Sequence, residues 1–227
     1  MEVKKRIWEI DFFRGIAIIL MIVFHLIVDL KDFYSYDIDY MSGFWYYEGK
    51  ISAILFITIA GISSTLGRNT FKRGIFVFAL GMFLTVITYF YDPNTYIRFG
   101  ILHLLGISML LSILFKKFNT IFLAFISVLF LIVGNIFSKI IVNSPFLFWI
   151  GLVNNNFRSM DYYPLLPWFG IFTIGIVIGK TLYKERKSII PVTINNDPIS
   201  FLGKHSLAIY ILHQPILLMV LYLLHRI

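Results

Sequence analysis

The chain of 227 residues contains no cysteine. That single absence excludes disulfides, thiolate nucleophiles and cysteine-ligated metals together. Charge is also scarce: Asp, Glu, Lys and Arg make up 14% of the residues, against about 25% in an ordinary soluble domain. No Pro-, Gly- or Ser-rich linker, internal repeat or low-complexity tract divides the sequence. Its five histidines offer no close i,i+4 pair, so no ligand set for a metal stands out and none is expected. The net charge of +8 has no basic face with a soluble fold behind it. Nucleic acid is therefore not an expected partner.

What is present is apolar. Hydrophobic residues reach 59% and the mean hydropathy is +0.83, well above the ~45–50% apolar content of soluble domains. No soluble core buries so much apolar surface, so lipid must cover the remainder. The 24 Phe and 13 Tyr suit wide lipid contact and interfacial aromatic belts, with Trp45, Trp149 and Trp168 as anchors. Crossing a hydrocarbon core of roughly 30 Å takes about 20 residues. Segments of that kind fall near residues 8–30, 48–67, 73–91, 98–115, 119–141, 164–183 and 203–224. Between the fifth and the sixth, Asn143–Tyr163 holds a short apolar stretch, Phe146–Val153, too brief to span. The basic start (Lys4, Lys5, Arg6) imitates a secretory leader, but the apolar run is longer than a leader's and no small-residue cleavage site follows. The expectation is an all-α, polytopic transmembrane helix bundle of about seven spans, residues 1–227 forming one domain in the cell membrane.

Orientation follows from the basic residues. With the N-terminus cytoplasmic and the C-terminus outside, 14 of the 20 Lys and Arg fall on the inner side and 6 on the outer, as the positive-inside rule requires. The inner set includes Lys4, Lys5, Arg14, Arg68, Lys72, Arg73, Lys116, Lys117 and Lys180; the outer set includes Arg98, Arg158 and Arg226.

The first span carries Glu9, Asp11, Arg14, His25 and Asp29. At roughly 100° per residue, with Asp11 as zero, Arg14 falls near −60°, His25 near −40° and Asp29 near 0°. Four ionisable groups thus share one narrow face. Ionisable groups at membrane depth cost at least a few kcal/mol each unless paired or wet, so the face must point inward. Two readings stand: local pairs, Asp11–Arg14 (i,i+3) and His25–Asp29 (i,i+4), or a lined cavity with a carboxylate beside an imidazole. By helical rise His25 lies about 21 Å beyond Asp11, and His103 about 8 Å below the outer surface. Two histidines then share a depth, and Asp161 and Tyr162 start from the same side. His213 lies near mid-membrane beside Gln214 and Pro215, whose ring leaves a carbonyl without its partner. His25 is the best candidate for chemistry, since Asp29 could orient its ring and raise its basicity. His103 and His213, taken singly, read as hydrogen-bonded core residues.

The motifs add a resemblance. R-I-W-E-I-D-F-F-R-G-I-A-I-I-L-M-I-V-F-H (Arg6–His25) resembles the first helix of membrane acyltransferases of the heparan-α-glucosaminide N-acetyltransferase type. Its D-x-x-R-G-I-A core, with a histidine eleven residues after the arginine, also resembles the membrane sugar O-acyltransferases. D-Y-Y-P-L-L-P-W-F-G (Asp161–Gly170) is similar to short bacterial members of the first family, and F-L-G-K-H-S-L-A-I-Y-I-L-H-Q-P (Phe201–Pro215) to the last helix of both. The resemblance implies transfer of an acyl group, acetyl first of all, from cytoplasmic acetyl-CoA to a hydroxyl or amine of a sugar or glycan outside. It maps Arg14 onto the motif arginine and His25 onto the motif histidine. The lysosomal amino-sugar enzymes differ in carrying asparagine at the position of His25 and a histidine in the loop after the first helix. Here no histidine lies between Asp29 and His103, so His25 takes the catalytic part.

On this reading His25 is the base, Asp29 its orienter, and His103 or Tyr162 the donor to the developing oxyanion. Arg14, paired with Asp11, and the inner Arg68, Lys72 and Arg73 attract the CoA phosphates. The partners are then membrane lipid, a CoA thioester and the acceptor, with a homo-oligomer left open. The rival reading is a proton-coupled transporter or lipid-linked carrier using the stripe as its path, although no inverted repeat is visible.

Overall fold

A computed structural model describes residues 6–191 and 197–225. Lys4, Lys5 and Arg226 of the basic distribution lie outside the described residues. The described chain is helical: α1 (Trp8–Tyr34), α2 (Gly43–Leu66), α3 (Thr70–Tyr91), α4 (Ile101–Phe115), α5 (Thr120–Phe137), α6 (Leu165–Thr181), α7 (Pro198–Lys204) and α8 (Ser206–Leu224), with one 3-10 turn at Phe148–Ile150. Two isolated β-bridges, Phe99 with Tyr162 and Ile141 with Val153, tie down loops. Five of these helices, α1, α2, α3, α5 and α8, are long and apolar enough to cross a membrane. The apolar α4 and α6 have 15 and 17 residues, about 22 and 26 Å at the usual rise.

The chain divides into two compact units, residues 1–59 with 186–227, and residues 60–185. Helix α2 passes from the first into the second.

In the first unit α1 packs along α7 with backbone against backbone. A Cβ on Gly203 would sit 1.8 Å from the Asp11 carbonyl oxygen, and one on Gly15 2.0 Å from that of Ile199. Only glycine allows so close an approach, which is the use small residues have between membrane helices. Asp197 starts α7, its carboxylate accepting the N–H groups of Ile199 and Ser200, with Pro198 at the first helical position. The final span expected at 203–224 is thus two helices. It begins five residues earlier and breaks at His205, whose backbone is not helical (φ −103°, ψ 13°). On α2, the Ser52 hydroxyl donates to the Ala17 carbonyl at 3.0 Å, and the Phe24 ring fills the space above Gly49.

In the second unit α3 packs on α4 and α5 on α6. A Cβ on Gly106 would meet the Phe78 backbone at 2.6 Å, and Ser127 donates to Thr173 at 2.8 Å between buried faces. The later part of α2 meets α6 where Gly61 faces the Phe172 carbonyl. Helix α5 stops at Phe137, short of the expected 141, because 141 is taken into the bridge with Val153.

Candidate active site

At its N-terminal end α1 spends its charges on structure. Asp11, 4% exposed, accepts from Arg14 Nη1 at 2.9 Å, with Arg6 Nε 3.7 Å from its other oxygen. Glu9, 1% exposed, accepts the Ser188 hydroxyl and the Ile189 N–H, each at 2.8 Å. Glu9 therefore clamps the segment that leads to α7.

Farther along α1 the arrangement changes. His25 Nδ1 lies 2.9 Å from the Met21 carbonyl, one turn back. A carbonyl only accepts, so Nδ1 carries the proton, and in the neutral ring Nε2 keeps a bare lone pair. The His213 ring of α8 meets His25 edge to face, centroids 4.6 Å apart. His213 Nδ1 likewise donates to the Tyr210 carbonyl, and its Nε2 is buried without a partner among the described residues. Next to it Gln214 donates to Asp29 Oδ1 at 2.6 Å, leaving Asp29 Oδ2 and Gln214 Oε1 buried and unmatched among those residues. Asp29 is 1% exposed. Glu48 of α2, one residue from the Phe24-filled gap at Gly49, is also buried with both carboxylate oxygens unmatched.

Buried polar groups are nearly always hydrogen-bonded. Five atoms on Asp29, Glu48, His213 and Gln214, all in the first unit, are buried without a partner among the described residues. The arrangement offers two imidazole lone pairs, two carboxylates and a carboxamide. Among the described residues no group of three or more His, Asp or Glu could hold a metal ion.

Two expected partnerships take another form in the structure. His25 Nδ1 donates to the Met21 carbonyl, and Asp29 Oδ1 accepts from Gln214 of α8. The oxyanion-donor role expected of His103 or Tyr162 is also spent elsewhere. His103, in the second unit and 2% exposed, accepts the Gly100 N–H at Nδ1 (3.1 Å), so its Nε2–H goes to the Thr85 hydroxyl (3.1 Å), which donates on to the Ile97 carbonyl. It acts at the third position of α4 as a glutamate acts in a capping box. The Tyr162 hydroxyl donates to the Phe148 carbonyl at 2.6 Å, and burial pushes its pKa up, which keeps that proton in place.

The basic residues also separate by role. Lys116 donates to the Ser64 carbonyl at 2.7 Å and Lys180 to that of Lys116 at 3.0 Å, satisfying helix C-termini. Arg68, Lys72 and Arg73 remain exposed on the turn from α2 to α3.

A family model described as heparan-alpha-glucosaminide N-acetyltransferase, catalytic, matches residues 6–215. The chain belongs to this family. Comparison with curated proteins and with solved structures finds no match. Membership of the heparan-α-glucosaminide N-acetyltransferase family brings acyltransferase chemistry in general. The matched stretch takes in His25, Asp29, Glu48, His213 and Gln214, and closes at the proline that interrupts α8. Sequence reasoning passed over Glu48 altogether and set His213 aside. The signal for Glu48 was its place inside a helix able to span: a lone carboxylate in such a segment is a site by default.

Proposed function

We propose that the chain is a multi-pass membrane acyltransferase that moves an acyl group, acetyl in the first instance, from a CoA thioester to a hydroxyl or amine of a sugar or glycan. Residues 1–227 act as one domain. The five long helices, with α4 and α6 as shorter crossings, make about seven spans in the cell membrane. The basic bias of Arg68, Lys72, Arg73, Lys116, Lys117 and Lys180 favours a cytoplasmic N-terminus and an outer C-terminus.

The observation that carries the reading is the tautomer of His25. With Nδ1–H fixed on Met21, the Nε2 of half-buried His25 is a base on a ring that meets His213. Nε2 takes the proton of the acceptor O–H or N–H as that oxygen or nitrogen attacks the thioester carbonyl. The C–S bond breaks, the acyl group passes to the acceptor, and the imidazolium returns its proton to the leaving thiolate. Gln214 keeps a second amide N–H beyond the one given to Asp29, and it replaces His103 and Tyr162 as the donor to the oxyanion. With no cysteine in the chain, direct transfer is favoured over a thiol acyl-enzyme. The exposed Arg68, Lys72 and Arg73 suit the phosphates of CoA, while Arg14 reaches the donor from its buried pair with Asp11.

The test is thiol release from acetyl-CoA by purified protein, wild type against His25→Ala, with a panel of amino sugars and polyols. Release that needs both an acceptor and His25 supports the reading. Absence of any thioester binding or turnover removes it and favours a carrier.

A further inference from the structure

Asp29 is a buried acid to which the acyl-transfer scheme gives no part. It is 1% exposed, and among the described residues no Lys or Arg stands within ion-pair distance of it. The same helix shows how the chain treats a buried carboxylate that keeps its charge. Asp11, 4% exposed, has Arg14 Nη1 at 2.9 Å and Arg6 Nε at 3.7 Å. Asp29 has nothing comparable. The groups whose charge reaches it are His25 and Asp32, both on α1. His25 has given Nδ1–H to Met21 and keeps a lone pair at Nε2, and Asp32 brings charge of the same sign. From α8 come Gln214, which is neutral, and His213, whose Nδ1–H is given to Tyr210. A buried carboxyl without a counter-charge takes up a proton instead of staying ionised.

The hydrogen bonds lead to the same place by a separate route. Gln214 Nε2 donates to Asp29 Oδ1 at 2.6 Å, and this joined pair leaves over Asp29 Oδ2 and Gln214 Oε1, both buried without a partner. With the acid ionised, both are acceptors and neither satisfies the other. One proton on Oδ2 turns it into a donor, and Oε1 is the acceptor that the same amide presents beside its N–H. Turning the amide over does not remove the need, because Oε1 would then face Oδ1 and two acceptors would again meet. We propose that Asp29 is a neutral carboxylic acid whose Oδ2–H is given to Gln214 Oε1, closing a two-bond ring that makes Asp29 a positioning residue for Gln214.

The part the ring plays in the reaction rests on the acyl-transfer reading; the proton itself does not. With Oε1 and one N–H both held by Asp29, the Gln214 carboxamide is fixed, and its second N–H points away from the acid, free for the oxyanion. Donation into Oε1 also polarises the amide and strengthens that N–H as a donor. The proton stays on Asp29 throughout, so the balance of the transfer is unchanged.

The experiment uses the full chain in lipid nanodiscs, wild type against Asp29→Asn. Asparagine is the isostere of the neutral acid and can make both bonds, giving Nδ2–H to Oε1 and accepting at Oδ1. The infrared difference between the two at neutral pH should show the carbonyl band of a protonated carboxyl, moving down in D2O. Bands from the other buried carboxyls, Glu9, Asp11 and Glu48, are common to both samples and cancel. A carboxylate band in its place overturns the proposal. The second arm is acetyl transfer from acetyl-CoA, with unfolding midpoints alongside. Asp29→Asn should keep most of the wild-type kcat and its melting point. Asp29→Ala, which strands both Gln214 atoms, should lose about ten-fold in kcat or more, with the KM for acetyl-CoA little changed. An asparagine variant that is as impaired as the alanine one, or that no longer folds, means that the negative charge was needed and overturns the proposal. Full activity in Asp29→Ala removes the positioning role. A protonated-carboxyl band in a protein that turns over no thioester upholds the proton and refutes the acyl-transfer reading instead.

Discussion

Replacing Gly203 by alanine tests whether the close packing of α7 on α1 is as tight as the structure makes it. The added methyl carbon would lie 1.8 Å from the Asp11 carbonyl oxygen and 2.8 Å from its carbon. To reach an ordinary contact of 3.4 Å, the two backbones must separate by about 1.6 Å. Neither is a flexible side-chain tip that can swing away. Overpacking costs ~1–3 kcal/mol and occasionally more. A fixed backbone neighbour places this case at the top of that range, and alanine's better helix propensity returns at most about 1 kcal/mol. A net loss of about 2–3 kcal/mol lowers the melting temperature by roughly 4–12 °C for a chain of this size. The assay is thermal unfolding in nanodiscs, with Gly67→Ala as the control. There the new carbon would lie 3.5 Å from the Ser63 carbonyl oxygen, an ordinary contact, so its melting point should hardly move. If Gly203→Ala melts with the wild type, the packing of α1 on α7 is looser than described.

Other outcomes follow from the same geometry. His25→Ala should cut acyl transfer by about 10²- to 10⁴-fold, the usual contribution of a general base, with the melting point held. Comparable turnover would remove His25 from the mechanism. Arg14→Ala, made together with Asp11→Asn so that no buried carboxylate is stranded, should raise the KM for acetyl-CoA about ten-fold or more, the weight of a charged hydrogen bond, with kcat little changed. A lowered kcat at constant KM would place Arg14 elsewhere. Asn119→Ala removes the side-chain oxygen that accepts the Phe122 N–H at 2.7 Å, and should cost about 1 kcal/mol in thermal unfolding, as capping residues do. Asp92 is held below its ordinary value of 3.8 by the Thr95 hydroxyl and then the Asn94 N–H. A depressed carboxylate stabilises the fold above its unfolded value and loses that contribution as pH falls through the lower folded one. Unfolding midpoints should therefore drop below pH ~4 in the wild type and less steeply in Asp92→Asn.

Much of the helical layout was legible, because long apolar runs admit few alternatives. The exceptions lie at ends. Asp197–Pro198 is a helix-start signature in plain view, yet hydropathy placed the last span at 203, since Pro198–Lys204 is too polar to register. The start of α4 and the end of α5 adjoin the two β-bridges, Phe99 with Tyr162 and Ile141 with Val153, pairings that hydropathy does not encode. At the candidate site, the periodicity of α1 put Asp11, His25 and Asp29 on one face, and both aspartates are buried. What periodicity lacks is the neighbour. Depth put His25 level with His103, but the ring that His25 meets is that of His213, and Asp29 prefers Gln214 to the histidine four residues away. An i,i+4 spacing permits a contact; a competing donor on another helix decided it.

The unit that holds the cluster is drawn from two stretches of chain, residues 1–59 and 186–227, with the whole of the other unit between them. That has a consequence in time. Asp29 leaves the ribosome 185 residues before the Gln214 that partners it. At roughly 5–20 residues per second the carboxylate waits on the order of 10–40 s for its donor. During that interval a helix already long enough to insert carries an unmatched acid, so the nascent protein stays open to quality control until α8 arrives. Slowing translation within α3 to α6 lengthens that exposure without altering a single residue of the finished molecule.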